Sequence, residues 1–310
     1  MVIYDKVIFR EDSLMKCNSK SICSKIAVNL KRKGIIIDKQ IAENIYNVTA
    51  VNNKAVSDVC LKLFRGVPYS VMKSEYDIAL KCYDSDPIHF MRIYGKPLAF
   101  EIDNDIFDDS EQCFCFLMEK GKSFEVTSKP KYISWYIKFM KDIAEAISVM
   151  HSNGIAHFDI KIGNTIIKNG RYAIIDFGIA KYIDKDDDIN LYDISGTPYF
   201  LSPDVIQGTL SHKCDIYSFG MMVRYILLNG REKICVQNKR QLLLEKKELE
   251  PLHADDKYVQ SFLDIVNNMT TFDPMKRYQS ISEVIDAIYS FPIIPDIRLF
   301  KTYDSEGDTV

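Results

Sequence analysis

The stretch HFDIKIGNTII, residues 157–167, sets three polar side chains at fixed intervals: Asp159, then Lys161, then Asn164. Each has its own chemical capacity. Asp159 is a carboxylate that could accept a proton from a hydroxyl. Lys161 is close enough in sequence to share that site and neutralise a phosphate. Asn164 offers an amide oxygen, a ligand suited to a hard cation. Further on, AIIDFGIAK brings an apolar strand to an end at Asp176, a carboxylate suited to Mg2+, and Gly178 is expected to permit a sharp change of direction. Two oxygen ligands from two separate turns make an incomplete cage. Mg2+ favours such a cage, because substrate phosphates and water complete its octahedron. A lone Asp in a loop is usually structural, so the weight rests on the ordered set.

The elements that must position these groups are legible from periodicity. Residues 34–38, 44–51 and 58–64 are short β-branched and aromatic runs separated by polar turns, the pattern of an antiparallel meander. SVMKSEYDIALKCY has helical spacing, and IHFMRIYG and EQCFCFLMEKG read as two more strands. Cys113 and Cys115 alternate with Phe, which puts both on one face of the second of these. After Gly121 the character turns helical. Tyr136, Phe139, Met140, Ile143, Ile147 and Met150 recur at three and four, one face of a long amphipathic helix that Gly154 stops. DIYSFGMMVRYILLNG is apolar nearly all round and predicts a buried central helix. Ser280 and Glu283 form a capping-box pattern before a last helix.

This organisation predicts an α+β chain of four parts: an extension at residues 1–33 with one helix near residues 26–31, a small antiparallel-sheet lobe at 34–119, a larger, mainly helical lobe at 120–291, and a polar tail at 292–310. Bulk properties narrow the function classes. With 310 residues, 47% hydrophobic and 27% charged, the chain has the balance of a globular protein. A formal net charge of −3 leaves no global basic field for nucleic acid, and NLKRKG at 29–34 reads as a solvated helix face. The eight cysteines are scattered without a CxxC pair, which favours reduced, buried thiols over zinc or disulfides and an intracellular setting. The first residues carry charges, so no signal peptide is expected, and no run reaches the ~18 apolar residues of a membrane span.

HFDIKIGN followed by DFG resembles the H-R-D-x-K-x-x-N loop and D-F-G of eukaryotic-type protein kinases, with only the Arg missing. The resemblance runs from about Gly34 to Phe291 and implies a bilobal kinase-like fold. It implies that Asp159 is the catalytic base, that Lys161 steadies the transferring phosphoryl group, and that Asn164 and Asp176 hold Mg2+. VCLK at 59–62 resembles the V-A-I-K strand, which makes Lys62 the contact to the ATP phosphates and Glu75, on the next helix, its partner. FLMEKGK resembles the hinge, with Met118 at the gate and the backbone of Glu119 to Gly121 facing adenine. GTPYFLSPD resembles the end of an activation segment. In it Thr197 bridges Asp159 and Lys161, and Asp204, in place of the family's Glu, pairs with Arg277. Asp215 resembles the buried aspartate that braces the catalytic loop. Lys161 and Thr197 together point to Ser/Thr rather than Tyr as acceptor. Within the family, residues 136–161 and the following DFGIA are similar to checkpoint kinases of the monopolar-spindle type. The resemblance thus implies ATP and Mg2+ as cofactors and a protein substrate, and we expect no nucleic-acid or membrane partner and a monomer.

Two departures matter. Setting Val48 at the valine of G-x-G-x-x-G-x-V puts Ile41, Glu43 and Tyr46 where the family has glycines, and no glycine lies between Gly34 and Gly66. Ile41 and Val48 are then the loop's contacts to nucleotide. Glycine serves there because backbone N–H groups must approach phosphate without obstruction. A Glu43 carboxylate about 4 Å from phosphate would cost about 4 kcal/mol at an effective dielectric near 20. Phe158 stands in place of the Arg, making this a non-RD kinase, and a phosphorylated activation loop loses its main anchor, so activity is expected to depend little on such phosphorylation. The acidic run DKDDD at 184–188 reads as a solvated loop. Against the active enzyme stand two other readings: a pseudokinase acting as a scaffold or regulatory binding module, motivated by the missing glycines, and a small-molecule phosphotransferase of the aminoglycoside or choline type. Lys161, the DFG glycine and GTPYFLSPD argue against the last.

Overall fold

The computed structural model describes residues 20–103, 110–125, 130, 132–183, 197–232, 234, 238–292, 294 and 297–299. The architecture is α+β and divides into two units, one spanning residues 10–122 plus 175–178 and the other 123–174 plus 179–310, with residues 1–9.

The first unit is an antiparallel sheet of order β1-β2-β4-β6-β5, made by β1 (Ile35–Ala42), β2 (Ile45–Val51), β4 (Val59–Arg65), β5 (Ile93–Asp103) and β6 (Ser110–Glu119), with β3 (Lys54–Ala55) paired to β2. Local chemistry sets its turns. Asn52 and Asn53 both adopt positive φ (48° and 62°), the geometry that closes a two-residue hairpin, and Asn tolerates it without glycine. Gly34, at φ 79°, takes the left-handed conformation that favours glycine, and a Cβ there would also crowd Asn52 Oδ1. Both faces of the sheet are covered. α1 (Lys20–Arg32) lays Ile26 and Leu30 onto Tyr46, Val48, Leu61, Leu63, Cys113 and Cys115. α2 (Tyr69–Ser85) lays Met72 and Tyr76 onto Phe64, Phe114 and Phe116 on the other face. The alternation of Cys and Phe along β6 therefore separates two cores, as period two requires. The helix expected near residues 26–31 is longer than its apolar positions alone suggest and is part of the sheet's own packing.

IHFMRIYG is a strand only from Ile93. Asp86 Oδ1 accepts from the N–H of Ile88 at 2.8 Å, an Asx turn that bends the chain before β5 begins. The chain also returns to this unit late: Phe177 packs on Phe90 with ring centroids 6.1 Å apart, and Asp176 reaches Lys62.

β7 (Lys122–Ser123) marks the division. The second unit is built on α3 (Ile133–Ser152), whose Tyr136, Phe139, Met140, Ile143, Ile147 and Met150 are fully buried. Gly154, at φ 72°, ends that turn before β8 (Ile155–Ala156), which pairs with β11 (Lys181–Tyr182). β9 (Thr165–Lys168) and β10 (Arg171–Ile174) form a hairpin after residues 157–164. α4 (Pro203–Gln207), α5 (His212–Leu227), α6 (Lys239–Lys247), α7 (Lys257–Met269) and α8 (Ile281–Ser290) complete it. α5 is the central helix, buried on every side from Cys214 to Arg224. It approaches α7 closely enough that a Cβ on Gly220 would lie 2.6 Å from Met269 Cβ. At the start of α8, Ser280 accepts from Glu283 N, whereas Glu283 Oε2 accepts from Gln279 N rather than Ser280 N, so the capping box is half formed.

Among the described residues five cysteines are free and buried, and burial pushes Cys113 up to about 11 and Cys60, Cys82, Cys115 and Cys214 up to about 12. No described helix is long and apolar enough to cross a membrane.

Candidate active site

In the helical unit the site is organised from α5 outward. Asp215 is fully buried, and its carboxylate accepts the backbone N–H of His157 and of Phe158, each at 2.8 Å, and meets His151 Nε2 at 2.9 Å. Burial works against that charge, but His151 and the backbone donors outweigh it and hold the Asp215 carboxyl below its ordinary value. The bracing carries a local cost, since Phe158 sits at φ 63°.

The turn so held aims Asp159. Its N–H donates to His157 Nδ1 at 3.2 Å, and its Oδ2 accepts from Asn164 Nδ2 at 2.9 Å. Asn164 Nδ2 also donates to the Asp159 carbonyl, which leaves the Asn164 amide oxygen to face elsewhere. Lys161 Nζ lies 2.8 Å from Asp159 Oδ2 and donates to Thr197 Oγ1 at 2.9 Å; Thr197 Oγ1 reaches Asp159 Oδ1 at 3.5 Å. The structure thus brings Asp159, Lys161, Asn164 and Thr197 together.

The segment after Thr197 is fixed at both ends. Arg277, fully buried, donates to Asp204 Oδ2 at 2.9 Å and to the carbonyls of Lys213, Thr271 and Phe272. Lys246, 1% exposed on α6, donates its Nζ to the Tyr199 carbonyl. Lys246 and Arg277 both lie over the ring of Tyr217, at 5.2 and 4.9 Å from its centroid. The sequence reading passed over Lys246. Its signal was positional: with Leu242 it forms an i, i+4 pair on the buried side of α6, a stripe in which a lysine is out of place.

Phe158 occupies the position of the missing Arg. It is 6% exposed and packs with Ala156, Leu201, Val205, Ile206, Cys214 and Leu242. An apolar plug therefore ties the loop to the segment after Thr197, where the resemblance implies an ionic latch. Residues 184–196, including the acidic run, Tyr192, Ser195 and Gly196, lie outside the described residues.

The sheet unit holds the second group. Lys62 pairs with Glu75 and, at 2.6 Å, with Asp176 Oδ1. Burial disfavours the Lys62 ammonium, but Asp176 and Glu75 overcome it and hold the group above its ordinary range. Burial raises Glu75, with Lys62 working against the rise. The Lys–Glu pair forms despite its short sequence interval because α2 begins only four residues after β4 and buries Glu75 in its second turn. The left-handed residue of DFG is Asp176 itself, at φ 70°, and not Gly178, so the expected turn is made two residues earlier.

Register corrects the hairpin alignment. Ile45 is directly opposite Lys62, and Asn47 is opposite Cys60, so these side chains share the face of Lys62. Val48 is on the other face, 2% exposed in the core under α1, and cannot line the Lys62 face. The β1–β2 connection is a two-residue turn, Glu43–Asn44, with Asn44 at φ 55°; Ile41 is an exposed residue of β1 before it. With Ile45 in the valine position, Asp38, Gln40 and Glu43 fall where glycines were sought. Asp38 Oδ1 accepts from Asn47 Nδ2 at 2.9 Å, and Asn47 Oδ1 accepts from Lys120 Nζ at 2.7 Å.

Met118 lies opposite Cys60 and so on the Lys62 face. Glu119 donates its N–H to Arg92 O at 2.8 Å, and Lys120 donates its own to Asp58 O at 2.9 Å. Of the expected hinge, only Gly121 is outside these bonds.

The family model for the protein kinase domain matches residues 88–290. A probable serine/threonine-protein kinase of Clostridium perfringens is 24% identical over 262 residues, 80% of this chain and 38% of its own length. Calcium-dependent protein kinase 3 of Plasmodium berghei is 31% identical over 190 residues, 56% of this chain and 33% of its own. A serine/threonine-protein kinase of Myxococcus xanthus is 30% identical over 200 residues, 59% of this chain and 24% of its own. The chain thus spans between a quarter and two fifths of the length of these relatives.

Proposed function

The chain belongs to the protein kinase family, and from that premise we propose that it transfers the γ-phosphoryl group of ATP to serine or threonine hydroxyls of protein substrates. The single observation that carries this reading is the cluster of Asp159, Lys161, Asn164 and Thr197 about one carboxylate. The donor set also suits the ligands. Asn164 and Asp176 offer the hard oxygens that Mg2+ takes, and Asp176 keeps 44% of its side chain exposed. ATP supplies the phosphoryl group, and Mg2+ neutralises its oxygens.

The rest is the work of this chain. Asp159 receives the hydroxyl proton, and among the described residues its Oδ1 is hydrogen-bonded by the Thr197 hydroxyl alone, at 3.5 Å. Lys161 supplies positive charge beside the acceptor, and Thr197 holds Lys161 in place. Lys62, steadied by Glu75, contacts the nucleotide phosphates. Ile45 and Met118 replace the Val48–Met118 pair as apolar contacts, and Gly121 is the hinge donor to the base. Little covalent chemistry is needed; positioning and charge neutralisation lower the barrier. Thr197 and Lys161 favour Ser/Thr acceptors, and Phe158 supports activity without activation-loop phosphate. ATP as substrate fits an intracellular site, with residues 34–119 and 120–291 as the two lobes.

The test is phosphate incorporation by purified protein with Mg-ATP and a basic generic substrate. Activity that Asp159→Asn abolishes supports the reading. ATP binding without incorporation points to the pseudokinase alternative, which the tight β1–β2 turn with Glu43 motivates.

A further inference from the structure

Beyond the reaction itself, α6 presents a second surface. A groove of about 660 Å3 runs along it, lined in part by Gln207, Arg240, Leu243, Leu244, Lys247 and Phe272. Arg240, Leu243, Leu244 and Lys247 recur at three and four, so they share one face of the helix. Arg240 and Lys247 bracket the leucines about 10 Å apart along the axis. Leu244 is 52% exposed, an unusual setting for a leucine between two cations. None of the described residues that line the groove is acidic, in a chain whose formal net charge is −3. The buried side of α6 carries Lys246, which holds the Tyr199 carbonyl. Gln207, which lines the groove, is the last residue of α4, so an occupant would touch the segment that follows Thr197.

We propose that this groove docks a segment of a partner protein in which acidic residues flank leucine or a similar apolar side chain. The leucines and Phe272 take the apolar residue, and Arg240 and Lys247 take the carboxylates on either side. Charge complementarity chooses this occupant: two isolated cations around an apolar floor suit spaced carboxylates and are too few to follow a nucleic-acid backbone. The inference does not depend on phosphoryl transfer, and its test reads binding alone.

The probe is a fluorescein-labelled twelve-residue peptide of glutamates around a central Leu-Leu pair, followed by fluorescence anisotropy, with a peptide carrying lysines in place of the glutamates as control. The acidic peptide should bind, and more weakly as salt is raised, because the cations are exposed. The double variant Arg240→Glu, Lys247→Glu should weaken binding at least about tenfold, and Leu244→Ser should weaken it without changing the salt dependence. All three positions face outward, so circular dichroism should find the fold unchanged. Equal binding of the two peptides, undiminished binding by the charge-reversed variant, or no binding at about 1 mM peptide overturns the proposal. A wild-type dimer in sedimentation that Leu244→Ser dissociates would also overturn it, by assigning the groove to a second copy of the chain.

Discussion

The backbone N–H of Phe158 donates to Asp215 Oδ1 at 2.8 Å, so a residue in left-handed conformation is pinned to the first turn of α5 while its ring is buried among Leu201, Val205 and Leu242. Phe158→Arg should therefore not restore an ionic latch. It should place a charge in an apolar cluster and destabilise the protein by at least about 2 kcal/mol in urea unfolding, whereas Phe158→Leu should cost about 1 kcal/mol. An Arg variant as stable as the parent would refute the apolar-plug account.

If the plug does the work of an ionic latch, activation-loop phosphate should be dispensable. Tyr192→Phe combined with Ser195→Ala should keep activity within about twofold of the parent, and phosphatase treatment should leave the parent unchanged. A large loss in either measurement would sink the idea.

Thr197 joins the Asp159 carboxylate and Lys161 through one hydroxyl. Thr197→Val removes hydrogen bonds to charged partners worth about 1.5–3 kcal/mol, so kcat should fall about 10–150-fold. Thr197→Ser should recover most of it. A serine variant as poor as the valine, or a valine variant as active as the parent, would show that the hydroxyl bridge does not carry the effect.

Burial holds the Lys246 ammonium down to about 7, with Glu232 acting in the opposite sense. An unfolded lysine titrates near 10.4. Between those values the unfolded chain binds one more proton than the folded one. Stability should rise with pH from about 7 to about 10, by up to about 1.4 kcal/mol per pH unit, and the burial penalty is present in full below pH 7. Lys246→Met lacks the titrating group, so the stability difference between parent and variant should carry this slope. A flat difference between pH 7 and 9 would mean that the lysine is not buried as described.

Gly220 leaves no space for a methyl group. Gly220→Ala should destabilise by about 1–3 kcal/mol, and Met269→Ala should not rescue it, because the close contact is with the Met269 Cβ that alanine retains. Thermal denaturation of the single and double variants decides this.

What was legible in the sequence follows physical range. The face of α3 and the all-round burial of α5 could be read directly, because a helix repeats its pattern within a few residues. The cluster of Asp159, Lys161 and Asn164 was readable because its residues lie within one loop, and Thr197 and Arg277 followed from motif. The hairpin went differently. One residue of register decides the face of a strand, and the bulged pairing of β1 with β2 has no sequence marker, so Val48 was assigned to the face that Ile45 and Asn47 occupy. The strand expected at residues 88–95 begins late, at Ile93, for a local reason, the Asx turn of Asp86, which apolar alternation does not reveal. Lys246 was missed because its partner is a backbone carbonyl 47 residues away, and no side-chain motif encodes such a bond.

The excursion of residues 175–178 into the sheet unit bears on synthesis. A ribosome that has completed β6 and β7 has not yet made Asp176, so Lys62 faces only Glu75, and Phe90 has no Phe177 to pack against. At ordinary elongation rates the gap from Lys122 to Ile175 takes roughly 3–10 s, long compared with local strand and helix formation. The nascent amino-terminal portion must wait, incomplete, for four residues translated much later, which makes it a natural client of holding chaperones and a poor candidate for expression as a separate fragment.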